Sequence, residues 1–246
     1  MNFLTKVVLV TGGGTGIGAA AAELFAKNGA KVAIVSRNEN ELNAVIQRCQ
    51  KFGNAALAIK ADHSEEGEAD LIVKKTIQTF GKLDVLVNNA GILKVASILS
   101  ENFLKIYDEV MNANIRGPVR ITHFAVPHLI KSKGSIVNVS SVAGTTTRPN
   151  NIVYRTSRAA LNHFTRGVAL ELAPHGVRVN SVSSLPNSTD IFKDLNVDPN
   201  TLLEMRALHK ISETVEIADT IVYVAGDKAN GVTGSDYVVD TSSLLL

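Results

Sequence analysis

Cysteine is almost absent: Cys49 is the only one in 246 residues. A single thiol excludes an intramolecular disulfide framework and a cysteine-rich metal site, and it fits a reducing compartment. Long apolar runs are missing as well. No window approaches the roughly 18 uninterrupted apolar residues of a membrane span, and the terminal "LLL" is far too short for one. Charge of one sign is not in excess: the net charge is +2, and the basic residues are spread along the chain. This argues against a nucleic-acid tail or a polybasic membrane patch. The six histidines show no metal-ligand spacing; His123 and His128 fall five apart on a predicted helix. There is no Gly-x-Ser-x-Gly elbow, which counts against a serine hydrolase. The start, "MNFLTKVVLVTGG", lacks the apolar region and cleavage site of a secretory signal and reads as a first strand. By elimination, a soluble, cytosolic protein is expected.

What is present is globular: 45% hydrophobic and 20% charged residues. Short β-branched runs recur at 6–11, 31–36, 55–61, 83–88, 134–140, 176–182 and 236–240. They are nearly continuous in apolar content rather than alternating, as in strands buried on both faces of a parallel sheet. Stretches with helical spacing lie between them. Gly29, Gly53, Gly81, Gly134 and Gly176 each stand where a helical stretch gives way to an apolar run. Glycine there can take the left-handed conformation that ends a helix. The pattern predicts an α/β fold: a doubly wound parallel sheet of about seven strands with helices on both faces. With no linker or repeat, residues 1–246 are expected to form a single domain. The stretch 184–212 breaks the rhythm and reads as a substrate-side loop or lid, or as a packing element.

Three stretches carry chemistry. "VTGGGTGIGAA" follows the first strand and opens the first helix. Glycines let the backbone turn tightly and approach a bound group, and the helix start offers free N–H groups to a pyrophosphate. No Gly-Lys-Ser/Thr follows, so this is not a P-loop. At the end of the second run, "VSRN" puts Ser36 and Arg37 where an enzyme preferring the unphosphorylated cofactor usually has an acid. A guanidinium there can pair with a 2′-phosphate, so NADP(H) is favoured over NAD(H). In "VYRTSRAAL", Tyr154 and Arg158 fall one helical turn apart on one face. A fixed cation beside a phenol favours the ionised form.

With these in place the sequence resembles the classical short-chain dehydrogenases/reductases over essentially its whole length. Thr11-Gly12, Gly16 and Gly18 match the family's glycine motif. Asp62 matches its adenine-contacting acid, "NNAG" at 88–91 its cofactor-lining motif, and Asn114 its active-site asparagine. Ser141 precedes Tyr154 by 13 residues, the family's usual spacing. The resemblance implies a Rossmann-type sheet and a nicotinamide cofactor. That cofactor would be held by Gly12, Thr15, Gly16, Ile17, Gly18, Ser36, Arg37, Asp62, Asn88, Ala90, Gly91, Tyr154, Arg158 and Thr189. It also implies a catalytic group in which Tyr154 exchanges a proton with the substrate oxygen, Ser141 holds that oxygen and Asn114 fixes a water. The substrate implied is an apolar ketone or secondary alcohol, such as a steroid, retinoid or xenobiotic carbonyl. A homodimer or homotetramer is also implied, with the helix after Tyr154 at a subunit contact.

The sequence departs from the family at the fourth member of that group. Arg158 stands in place of the usual lysine. Arginine supplies the same field, but its guanidinium cannot pass on a proton and meets ribose hydroxyls with a different shape. An impaired site is therefore expected. Two more departures follow. Ser184-Leu185 replaces Pro-Gly beside the nicotinamide, and Thr241-Ser242 replaces a terminal Gly-Gly. The alternative to an enzyme is a weak or inactive member that senses nucleotide or ligand, or serves as a structural partner. An unrelated hydrolase or transferase on the same sheet is disfavoured.

Overall fold

In a computed structural model, which describes residues 1–185 and 207–245, each of the seven apolar runs forms a strand. They are β1 (Val7–Thr11), β2 (Lys31–Ser36), β3 (Ala56–Lys60), β4 (Val85–Asn88), β5 (Ser135–Ser141), β6 (Arg178–Ser184) and β7 (Asp236–Val239). All pair in parallel, in the order β3-β2-β1-β4-β5-β6-β7. The helices are α1 (Gly16–Lys27), α2 (Glu39–Gln50), α3 (Glu68–Phe80), α4 (Phe103–Met111), α5 (Gly117–Ser132), α6 (Ile152–Leu172) and α7 (Thr214–Ala225).

Burial on both faces explains why the runs do not alternate. Val8 and Val10 of β1 enter the core shared with α1, α2 and α7, while Val7 and Leu9 enter the one shared with α3, α5 and α6. A fully buried side chain such as Leu9 contributes about 1.5–3 kcal/mol. Local chemistry fixes where helices start. Asn38 accepts hydrogen bonds from the Asn40 and Glu41 amides ahead of α2. Glu213 and Glu216 form a reciprocal cap on α7.

The junction glycines behave as expected at Gly29, Gly53, Gly81 and Gly176, all with positive φ. Gly134 does not. The left-handed residue ending α5 is Lys133, at φ 49. Gly134 is needed for space instead: a methyl group there would stand 2.2 Å from the Asp84 carbonyl oxygen.

Between α4 and α5 the chain forms a π-helical turn, Asn112–Arg116, which widens the hydrogen-bond register by one residue. Most of the expected lid lies outside the described residues, including Pro186 and Thr189. Among the described residues, no helix is long and apolar enough to cross a membrane, and no cluster of His, Cys, Asp or Glu could hold a metal ion. Burial, with Glu23 nearby, pushes the Cys49 thiol up to about 12, so it is inert as a nucleophile.

Candidate active site

The sheet changes direction between β1 and β4, its topological switch point, and a cleft of about 920 Å³ opens there at the carboxyl ends of the strands. Gly12, at φ 62, begins the turn after β1. A methyl group on it would lie 2.7 Å from the Ala90 Cα, so both conformation and contact demand glycine. Thr15 precedes α1 without a side-chain cap, and the first turn carries no acid. The unpaired N–H groups of that helix therefore face the cleft at Gly16 and Ile17. This is the arrangement a pyrophosphate requires. Gly18 is turned away from it and lets α1 pack on the Gly12 carbonyl, 2.3 Å from where its Cβ would be.

Ser36, Arg37 and Asp62 line one end of the cleft. The Arg37 side chain is 72% exposed, with Nη1 3.6 Å from Asp62 Oδ2. Burial alone would raise the Asp62 pKa. Hydrogen bonds from the Ser64 hydroxyl (2.6 Å) and amide (2.9 Å), with His63 and Arg37 close by, hold it below the usual carboxylate range.

At the other end, Gly91 of the cleft wall is where Arg158 and Asn114 converge. A methyl group on Gly91 would meet Arg158 Nη2 at 2.6 Å and Asn114 Oδ1 at 3.0 Å. Arg158 is 5% exposed and lies over the Tyr154 ring, with Nη1 donating to the Val139 carbonyl at 3.2 Å. Its Nε is buried and has no partner among the described residues. Ser141 ends β5, and its hydroxyl accepts from the Ala143 amide, capping the turn that follows. That turn packs on α6: a methyl group on Gly144 would stand 2.9 Å from the Arg158 carbonyl carbon. The Ser141 turn, Tyr154 and Arg158 are thus one packed unit.

The asparagines depart from expectation. Asn88 does not line the cleft. Its side chain points into the fold, where Nδ2 donates to Thr122 and Asn138. Successive strand side chains face opposite sides, so its neighbour Asn89 faces the cleft instead. Asn89 Nδ2 donates to the carbonyls of Thr11 and Gly12 and so holds the glycine turn in place. The Asn114 side chain is fully engaged, accepting from the Ile92 amide and donating to the Ile92 carbonyl and the Ser157 hydroxyl. His63 also borders the cleft, and no motif in the sequence marks it.

Residues 6–200 match the family model described as short chain dehydrogenase. An uncharacterized oxidoreductase of Thermotoga maritima is 39% identical over 251 residues, covering 99% of each chain. A 3-oxoacyl-acyl-carrier-protein reductase of Synechocystis is 35% identical over 98% of each. Among solved structures, a short chain dehydrogenase from Burkholderia cenocepacia in complex with NADP superposes with a TM-score of 0.94 at 30% identity, covering 99% of this chain and 100% of that one.

Proposed function

The chain belongs to the short-chain dehydrogenase family of nicotinamide-dependent oxidoreductases, and on that premise we propose that it reduces apolar ketones, or oxidises the matching secondary alcohols, with NADP(H). The observation that carries this reading is the convergence of the Arg158 guanidinium and the Asn114 amide on Gly91, at the opposite end of the cleft from Arg37. The residues suit the cofactor. The uncapped start of α1 suits a pyrophosphate, the exposed Arg37 suits a 2′-phosphate, and the orphaned Arg158 Nε suits a ribose hydroxyl. When bound, the nicotinamide supplies or accepts the hydride.

Within this reading, Tyr154 gives its hydroxyl proton to the substrate oxygen during reduction and takes one back during oxidation. Ser141 holds the same oxygen by a hydrogen bond. Arg158 lies over the Tyr154 ring and places a fixed positive charge beside the phenol. It cannot hand a proton onward, so returning one to Tyr154 is the slow event, and turnover is modest. Active sites dock ligand where remote contacts hold it, and the Arg37 end supplies those contacts.

The test is purified protein with NADPH and a panel of ketones, followed by NADPH absorbance. Oxidation dependent on a ketone supports the reading. Cofactor binding with no turnover across the panel favours the second reading, a nucleotide-binding member that acts as sensor or structural partner, which Arg158 in place of lysine motivates. We also assign a homodimer or homotetramer. The outward stripe of α6 (Thr156, Ala159, His163, Gly167 and Leu170) is exposed and largely small or apolar. A monomeric mass by light scattering would contradict it. A cytosolic site of action fits the single unpaired thiol.

A further inference from the structure

The π turn leaves a hydrogen-bonding problem that the chain solves from a distance. In this register the Gly117 amide donates to the Asn112 carbonyl, five residues back. The next carbonyl, that of Ala113, faces position 118 in the same register. Pro118 stands there and has no N–H to give. A buried carbonyl left without a donor is destabilising. His63 fills the gap: its Nε2 lies 2.9 Å from the Ala113 oxygen. A carbonyl only accepts, so Nε2 is the protonated nitrogen. The ring fits because residue 117 is glycine; a methyl group there would stand 2.3 Å from His63 Cδ2 and 2.7 Å from Nε2.

The residue after Ala113 is Asn114, which meets Arg158 at Gly91. The residue before His63 is Asp62, which meets Arg37 at the other end of the cleft. Two further bonds join the same segments: Asn112 Nδ2 and Arg120 Nη1 both donate to the Ser64 carbonyl, at 3.2 and 3.1 Å. We propose that His63 is a positioning residue: by donating to the carbonyl that Pro118 leaves unpaired, it fixes the π turn that presents Asn114 and ties it to the loop that meets the cofactor's far end. Burial holds the His63 pKa below its ordinary value, against the pull of the Ala113 carbonyl and of Asp62, and so keeps the ring in the neutral form with one N–H.

The kinetic arm of the test rests on the oxidoreductase reading; the exchange arm does not. Two variants are compared with the wild type. His63→Leu removes the donor, and His63→Gln keeps an N–H that can reach the same oxygen. Hydrogen–deuterium exchange of the free protein is followed over peptides covering 110–118 and over the glycine turn. His63→Leu is expected to speed exchange at 110–118 alone, and His63→Gln to restore it. In steady-state kinetics, His63→Leu is expected to lower kcat about 10-fold or more through misplacement of the site. The loss should fall on kcat more than on KM for NADPH, and His63→Gln should recover most of the rate. If the wild type turns nothing over, the enzyme reading falls and exchange alone decides. Unchanged exchange at 110–118 in His63→Leu, or a His63→Gln variant that behaves like His63→Leu, overturns the proposal.

Discussion

The guanidinium carbon of Arg158 lies 5.0 Å from the centre of the Tyr154 ring, over its face, while Nη1 is anchored on the Val139 carbonyl. The cation acts on the phenol through stacking inside a buried pair, a contact worth up to about 2 kcal/mol when desolvated. Arg158→Lys keeps the charge and adds a group that can exchange a proton. We expect it to raise kcat about 10-fold or more, read as ketone-dependent NADPH oxidation. An unchanged rate would show that residue 158 does not limit turnover.

Arg37 is exposed and, among the described residues, holds Asp62 at 3.6 Å, an arrangement that contributes little to folding but leaves the guanidinium available to a 2′-phosphate. Arg37→Ala is expected to weaken NADPH binding about 10-fold or more, the loss of a charge-assisted hydrogen bond. NADH binding should not change. Calorimetric titration of both cofactors decides it: equal losses for the two would remove Arg37 from cofactor choice.

Thr241 and Ser242 both carry positive φ, 53 and 67, where the family usually has two glycines. Asp240 secures the bend by accepting from the Ser242 and Leu244 amides. Left-handed backbone costs a non-glycine residue about 1–2 kcal/mol, offset in part by glycine's greater freedom when unfolded. Ser242→Gly should therefore raise stability by about 1 kcal/mol, seen as a higher urea midpoint at constant slope. A lower midpoint would mean that the strain is absent.

His63 gives stability an acid limb. Its folded pKa lies below the ordinary imidazole value of 6.5, so between those two values the unfolded chain binds more protons. Stability then falls as pH drops through 6.5 toward the folded pKa and is fully retained above 6.5. His63→Gln should flatten this part of a melting-temperature profile. A wild-type profile that is already flat below neutrality would contradict the burial of a neutral ring.

The strands were legible because a sheet covered on both faces leaves a strong mark, and the glycine turn because its geometry tolerates little else. Other features depend on phase. Asn88 and Asn89 are identical letters, and only the pleat of β4 decides which one faces the cleft. The π turn inserts no recognisable residue type; it shifts one hydrogen-bond register. His63 gains its meaning only when that register is set against Pro118, more than 50 residues away in sequence. Gly134 stands at a helix-to-strand junction as its place in the sequence suggests, but the limiting quantity there is room beside Asp84 rather than a left-handed bend. The stacking of Arg158 on Tyr154 follows from the one-turn spacing, but its anchor on Val139 required the fold.

The cleft straddles the boundary between β1 and β4, where the two halves of the sheet meet. A molecule lying across that seam is gripped by both halves and must leave before either can peel away. Nucleotide therefore works as a removable staple, and resistance to heat or denaturant becomes a function of its concentration, by about 2.7 kcal/mol at a hundredfold excess over Kd.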